Sequence, residues 1–153
     1  MSLRLTNVKN FYSEKLAGVP GSSIGVRWQF VITMDYLPEL SVNRYKHYGT
    51  AFTKPEVKRW MEDLSWTLSW MGKERDIDWH DYQLKVIVDG KFKDNRVPDL
   101  HNFLKVVCDS VEDAALVNDK LYATECGVPE LGEPCLTITI ILQSPVKSGV
   151  EGK

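Results

Sequence analysis

The 153-residue chain has no long hydrophobic run. No stretch approaches the roughly 18 apolar residues of a membrane span, and no apolar segment follows a basic start at the N-terminus. A soluble, untargeted protein is expected. Cysteine is scarce, with only Cys108, Cys126 and Cys135. They show no metal-ligand spacing, and their odd number argues against a secreted disulfide framework, which points to a reduced, cytoplasmic setting. An excess of either charge is also missing, because 19 Lys and Arg stand against 21 Asp and Glu for a net −2. The overall electrostatics therefore do not mark a nucleic-acid binder, and any basic surface must be local. There is no internal repeat or low-complexity tract.

What is present suits one globular domain. Hydrophobic residues make up 43% and charged residues 26% of the chain, which are ordinary proportions, and the length allows a core without disulfide or metal staples. Residues 1–22 mix charges with Gly-Val-Pro-Gly-Ser-Ser and show no sustained period, so a flexible arm is expected. A domain over 23–143 and a polar tail over 144–153 complete the expected organisation.

Val26, Trp28, Phe30, Ile32 and Met34 alternate with Arg27, Gln29, Val31, Thr33 and Asp35, the period of a strand with one buried face. Residues 37–49 then form a loop that concentrates charge in the cations Arg44 and Lys46, beside His47 and two tyrosines. Thr53 and Glu56 have the spacing of a capping box. The helix they introduce buries Val57, Trp60, Met61, Leu64, Leu68 and Met71 at helical spacing. Trp66 and Trp70 fall outside that stripe, with packing against another edge of the domain or a subunit interface as even alternatives. Tyr82, Leu84, Val86 and Val88 mark a second strand, which runs into the basic loop Lys91, Lys93, Arg96. Residues 121–127 and the alternation of Leu136, Ile138, Ile140 and Leu142 give two more strands. The order β-α-β-α-β-β predicts an α+β fold, a mixed or antiparallel sheet with helices packed on it.

The chain is organised around residues 96–119. Leu100, Phe103, Leu104, Val107, Cys108 and Val111 recur at helical spacing as a core-facing stripe, while His101, Asn102, Lys105, Asp109 and Glu112 lie opposite. Pro98 precedes Asp99, an expected N-cap. An opening Asp-x-His-Asn followed by Lys presents a carboxylate, an imidazole, an amide and an ammonium from one helix end, a set able to hold a metal and a phosphate. Plainer readings stand beside this one. Asp99 alone is explained as a cap, Lys105 as an i,i+4 partner of Asp109, and Asp119 as a turn residue after Asn118.

Pro98-Asp99-Leu100-His101-Asn102, Lys105, Asp109 and Asn118-Asp119 resemble the central motif of the RusA family of Holliday-junction resolvases, crossover junction endodeoxyribonucleases of bacteria and their phages. Pro38, Ser41, Asn43 and Tyr45 are similar to a loop motif of the same family. The resemblance covers roughly residues 24–143. It implies a homodimer that binds branched DNA in recombination and repair and cuts it symmetrically with Mg²⁺. Carried over by position, Asp99 and Asp119 match metal-binding carboxylates and Lys105 a phosphate-supporting lysine. His101 stands where the family has an aspartate, and Asn118 where an acid is common.

Imidazole in place of a carboxylate removes a negative charge and a hard oxygen ligand. A mixed site of Asp99, His101 and Asp119 would favour Mn²⁺ or another divalent transition metal. His101 as a general base, or a site that binds nucleic acid without cleaving it, are the alternatives. Asn43, Arg44, Lys46, Lys91, Lys93, Arg96 and Asn102 are the expected DNA contacts.

Overall fold

The computed structural model describes residues 6–18, 20–21, 25, 27–46 and 52–143. Strands β1 (Val8–Leu16) and β2 (Arg27–Met34) precede helix α1 (Pro55–Glu74), and β3 (Gln83–Phe92) follows it. Helix α2 (Leu104–Ala115) then leads to β4 (Ala123–Cys126), β5 (Glu130–Leu131) and β6 (Cys135–Gln143). The sheet order is β1-β2-β6-β3-β4, with β5 also on β3. β1, β2, β6 and β3 pair antiparallel, whereas β4 and β5 run parallel to β3. The α+β class and the mixed sheet expected from the sequence are both present.

Register explains the core. Phe30 pairs with Ile140 and Ile32 with Ile138, while Val86 pairs with Ile140 and Val88 with Ile138. Alternate residues of three neighbouring strands therefore share one face. All of these side chains are fully buried, in one cluster with Trp60, Leu64 and Leu68 of α1 and Val106, Val107 and Val111 of α2. Both helices thus cover one side of the sheet. Trp60 adds a polar tie, its indole N–H donating to the Asp35 carbonyl at 2.8 Å. Val106 and Ser110 are buried beyond the expected stripe of α2, because that helix packs on α1 as well as on the sheet.

Three expectations need correcting. Most of the predicted arm is strand β1, paired with β2 from Val8 to Leu16. Its start is clasped by the buried Asp63, whose Oδ2 accepts from Asn7 N–H and Asn7 Nδ2, each at 3.0 Å. Pro55 occupies the first turn of α1, which moves the N-cap to Lys54 with no side-chain cap bond. Thr53 instead bridges to Lys46. The central helix opens as a 3-10 turn over Leu100–Phe103 before α2 begins. Residues 1–5, His47 and the expected tail over 144–153 lie outside the described residues.

Candidate active site

The approach to α2 is set by one carboxylate. Asp99 caps the 3-10 turn, its Oδ1 accepting from the His101 N–H at 3.0 Å, and the same oxygen lies 3.0 Å from His101 Nδ1. The backbone bond first, and the ring second, hold the Asp99 carboxyl below its ordinary pKa. An ionised Asp99 can only accept, so we assign a proton to Nδ1; in the neutral ring the lone pair is then on Nε2. The cap role and a site role are therefore compatible. Both side chains are exposed.

One turn further on, Lys105 Nζ lies 3.3 Å from Asp109 Oδ1. That bond, then the Asp109 charge, raise the lysine pKa; Tyr45 and Asp119 act in the same direction. Lys105 thus stands as a cation among acids.

A second acidic group forms beyond it. Asp109 and Glu112, three apart on α2, share a face. The helix ends at Leu116, whose φ of 59° is left-handed and whose N–H donates to the Glu112 carbonyl at 2.8 Å. This reversal returns the chain to Asp119, in a turn capped by Asn118 through a bond from Lys120 N–H at 2.9 Å. As a result, one oxygen each from Asp109, Glu112 and Asp119 lie within 4.8 Å of one another.

The trio predicted from the sequence is divided by this geometry. Among the described residues, Asp119 groups with Asp109 and Glu112, while Asp99 and His101 form a pair of their own. Glu112 was absent from the candidates. Its signal was the i,i+3 spacing from Asp109 with an aspartate shortly past the helix end. Two cysteines connect the groups. Burial, then Asp119 and Asp109, push the Cys108 thiol up to about 11, with Cys126 also in its field. Burial and then Asp99 raise the Cys126 thiol. A cavity of about 360 Å³ runs beside Asp99 and His101, walled by Val97, Pro98, Cys126 and Pro129.

The basic loops flank these groups. Val42 N–H donates to the Asn102 carbonyl at 2.7 Å, which fastens the first loop to the motif. On that loop Asn43 N–H donates to Ser41 Oγ at 3.3 Å, and Arg44 approaches Glu39 at 3.6 Å. Lys46 sits 5.4 Å from the Tyr45 ring centroid. In the second loop Arg96 pairs with Asp94 at 3.3 Å, and with Lys93 it lines a larger cavity of about 470 Å³. Lys91 alternates with Phe92 on β3 and so belongs to the opposite face of the sheet from the helices.

No curated protein matches the chain. A family model described as Endodeoxyribonuclease RusA matches residues 38–141. That span holds both acidic groups, Lys105 and both basic loops, and it takes in well over half of the sequence. The chain belongs to the RusA endodeoxyribonuclease family.

Proposed function

We propose that the protein is a divalent-metal-dependent endonuclease that resolves Holliday junctions or related branched DNA in recombination and repair. The observation that carries this reading is the convergence of Asp109, Glu112 and Asp119 beside Lys105, inside the segment matched by the family. Nucleases of this family depend on a divalent metal. The donor chemistry fits such an ion, since all three ligand atoms are carboxylate oxygens that suit Mg²⁺ or Mn²⁺ and offset its charge. Asp109, Glu112 and Asp119 would hold it. An ion held there would supply Lewis-acid stabilisation of charge on the phosphate.

The remaining groups have separate tasks. Asp99 fixes the His101 ring through Nδ1–H, and Nε2 would take a proton from the water as its oxygen bonds to phosphorus and the P–O bond to the leaving strand breaks. His101 is therefore a proton acceptor in this scheme, and the carboxylate absent from its position is supplied by α2. Lys105, kept charged by Asp109, offsets the charge that builds on the phosphate. Asn43, Arg44, Lys46, Lys93, Arg96 and Asn102 hold the DNA backbone. Lys91 is left out of this rim because of its place on the far face of β3. Symmetric cutting of two strands needs two centres, which a homodimer provides.

The test is cleavage of a synthetic four-way junction with Mg²⁺ or Mn²⁺. Asp119→Asn and Glu112→Gln should each lower the rate at least about 100-fold, the scale of losing a group that stabilises transition-state charge, and His101→Ala should do so less severely. A second reading, recognition without cleavage, is favoured by the imidazole at a position where the resemblance places a carboxylate. Salt-sensitive junction binding with no cutting under either metal would replace the first reading by the second.

A further inference from the structure

We propose that the cavity between the end of β3 and the approach to α2 receives one unstacked nucleobase of the branched DNA, with the adjoining phosphate held by Lys93 and Arg96. This rests on the nuclease reading above and extends it to how the substrate is set in register.

The cavity measures about 470 Å³, within the range of roughly 300–1,000 Å³ typical of small-molecule sites. Its apolar lining is aromatic and cyclic: Tyr36, Phe92, Pro98 and Pro134. Tyr36 meets Phe92 edge to face at 5.0 Å and Phe103 at 5.8 Å, and Phe92 and Phe103 are buried. The tyrosine is thus held in place before any ligand arrives, so little ordering entropy opposes stacking on it. Planar aromatic platforms of this kind accept any base, since every base has a π-face.

The charged lining is selective in a second way. Among the described residues, Lys93 and Arg96 oppose the single carboxylate of Asp94. Asp94 accepts one guanidinium contact at 3.3 Å, but an arginine carries five N–H donors, and 89% of the Arg96 side-chain surface is exposed. The balance is positive, as a phosphodiester requires. Arg44 of the first basic loop also lies within the field of Tyr36.

Position completes the case. Pro98 lines this cavity and also the smaller one beside Asp99 and His101. A base seated against it would therefore bring the adjoining backbone toward the cavity beside the Asp99–His101 pair. Branched DNA supplies such a base at low cost, because nucleotides at a strand exchange are less firmly stacked than those within a duplex.

The test uses the full chain and a four-way junction carrying 5-iodouracil at the branch-point nucleotides. Binding is measured first by fluorescence anisotropy without divalent metal, and long-wavelength irradiation and peptide mapping follow. The expected result is an adduct on Tyr36 or Phe92 that unlabelled single-stranded oligothymidine suppresses. A bound junction that yields no adduct, or adducts elsewhere only, overturns the inference and leaves the nuclease reading standing. A protein that binds no junction even at low salt sinks both. As a second measurement, Tyr36→Ala should weaken junction binding about tenfold, the scale of one lost base stack, while Tyr36→Phe should restore it. Equal affinity for all three proteins also counts against the base site.

Discussion

Asp99 does two things with one oxygen. Oδ1 closes the 3-10 turn through His101 N–H and at the same time aims the His101 ring, so the residue that starts the turn also sets a tautomer. The cap was legible from Pro98-Asp99 alone; the grip on Nδ1 was not, because it depends on the rotamer of a side chain two residues on. Glu112 illustrates the reverse. Its helical face was evident, but its partnership with Asp119 required a left-handed Leu116, which sequence does not announce for a residue that pays about 1–2 kcal/mol to adopt that conformation. Cys108 carries a measurable consequence of the same neighbourhood. Its folded pKa of about 11 exceeds the value of roughly 8.5 for a free thiol, so between these limits the unfolded chain releases a proton that the folded chain keeps. Stability is unaffected below about pH 8, falls as pH rises through that window, and levels off above it. Urea midpoints recorded from pH 7 to 11 should show this fall, and Cys108→Ala should reduce it; identical slopes in the two proteins would mean that Cys108 contributes nothing to it.

At the scale of elements, strands β2, β3 and β6 and both helices were legible because each buries an apolar face at its own period. β1 was not. Val8–Leu16 is exposed along most of its length, since an edge strand of this kind is held by backbone bonds to β2 and contributes little to the core. Its Phe11 meets Trp70 edge to face at 5.7 Å, which favours packing within the domain over a subunit interface for that tryptophan. The α1 cap was misplaced for a local reason, as Pro55 supplies the fixed φ and absent N–H suited to a first turn. β3 supports the candidate site where its Gly90 faces Leu100. At Gly90 a Cβ would stand 2.8 Å from the Phe92 ring and 3.0 Å from a Leu100 methyl. Gly90→Ala must therefore displace buried groups on which the motif rests, at a cost of about 1–3 kcal/mol. A thermal unfolding midpoint within a degree of the parent protein would contradict this. A loss of junction cleavage larger than the loss of folded protein would locate the damage at Leu100 and its neighbours.

For the whole molecule, near-neutral net charge means that the proposed DNA affinity would arise from local basic groups. Arg44, Lys46, Lys93 and Arg96, with Lys105, could neutralise about five phosphates per chain, which gives a slope of roughly −4.5 for log affinity against log salt. A slope near zero in anisotropy titrations would remove the basic loops from the interface, and changing both Lys93 and Arg96 to Ala should flatten it by about two. Fold class and the location of charge were legible because they follow from pattern and composition; the division of the acids into two groups was not, because it is a property of the path between helices. One backbone bond described above gives that path a mechanical character. Val42 N–H on the Asn102 carbonyl couples the first basic loop directly to the turn that carries Asp99 and His101. In the proposed reading, a shift of the first basic loop at Val42 would be passed through that bond to Asn102, and so to the turn that aims the imidazole.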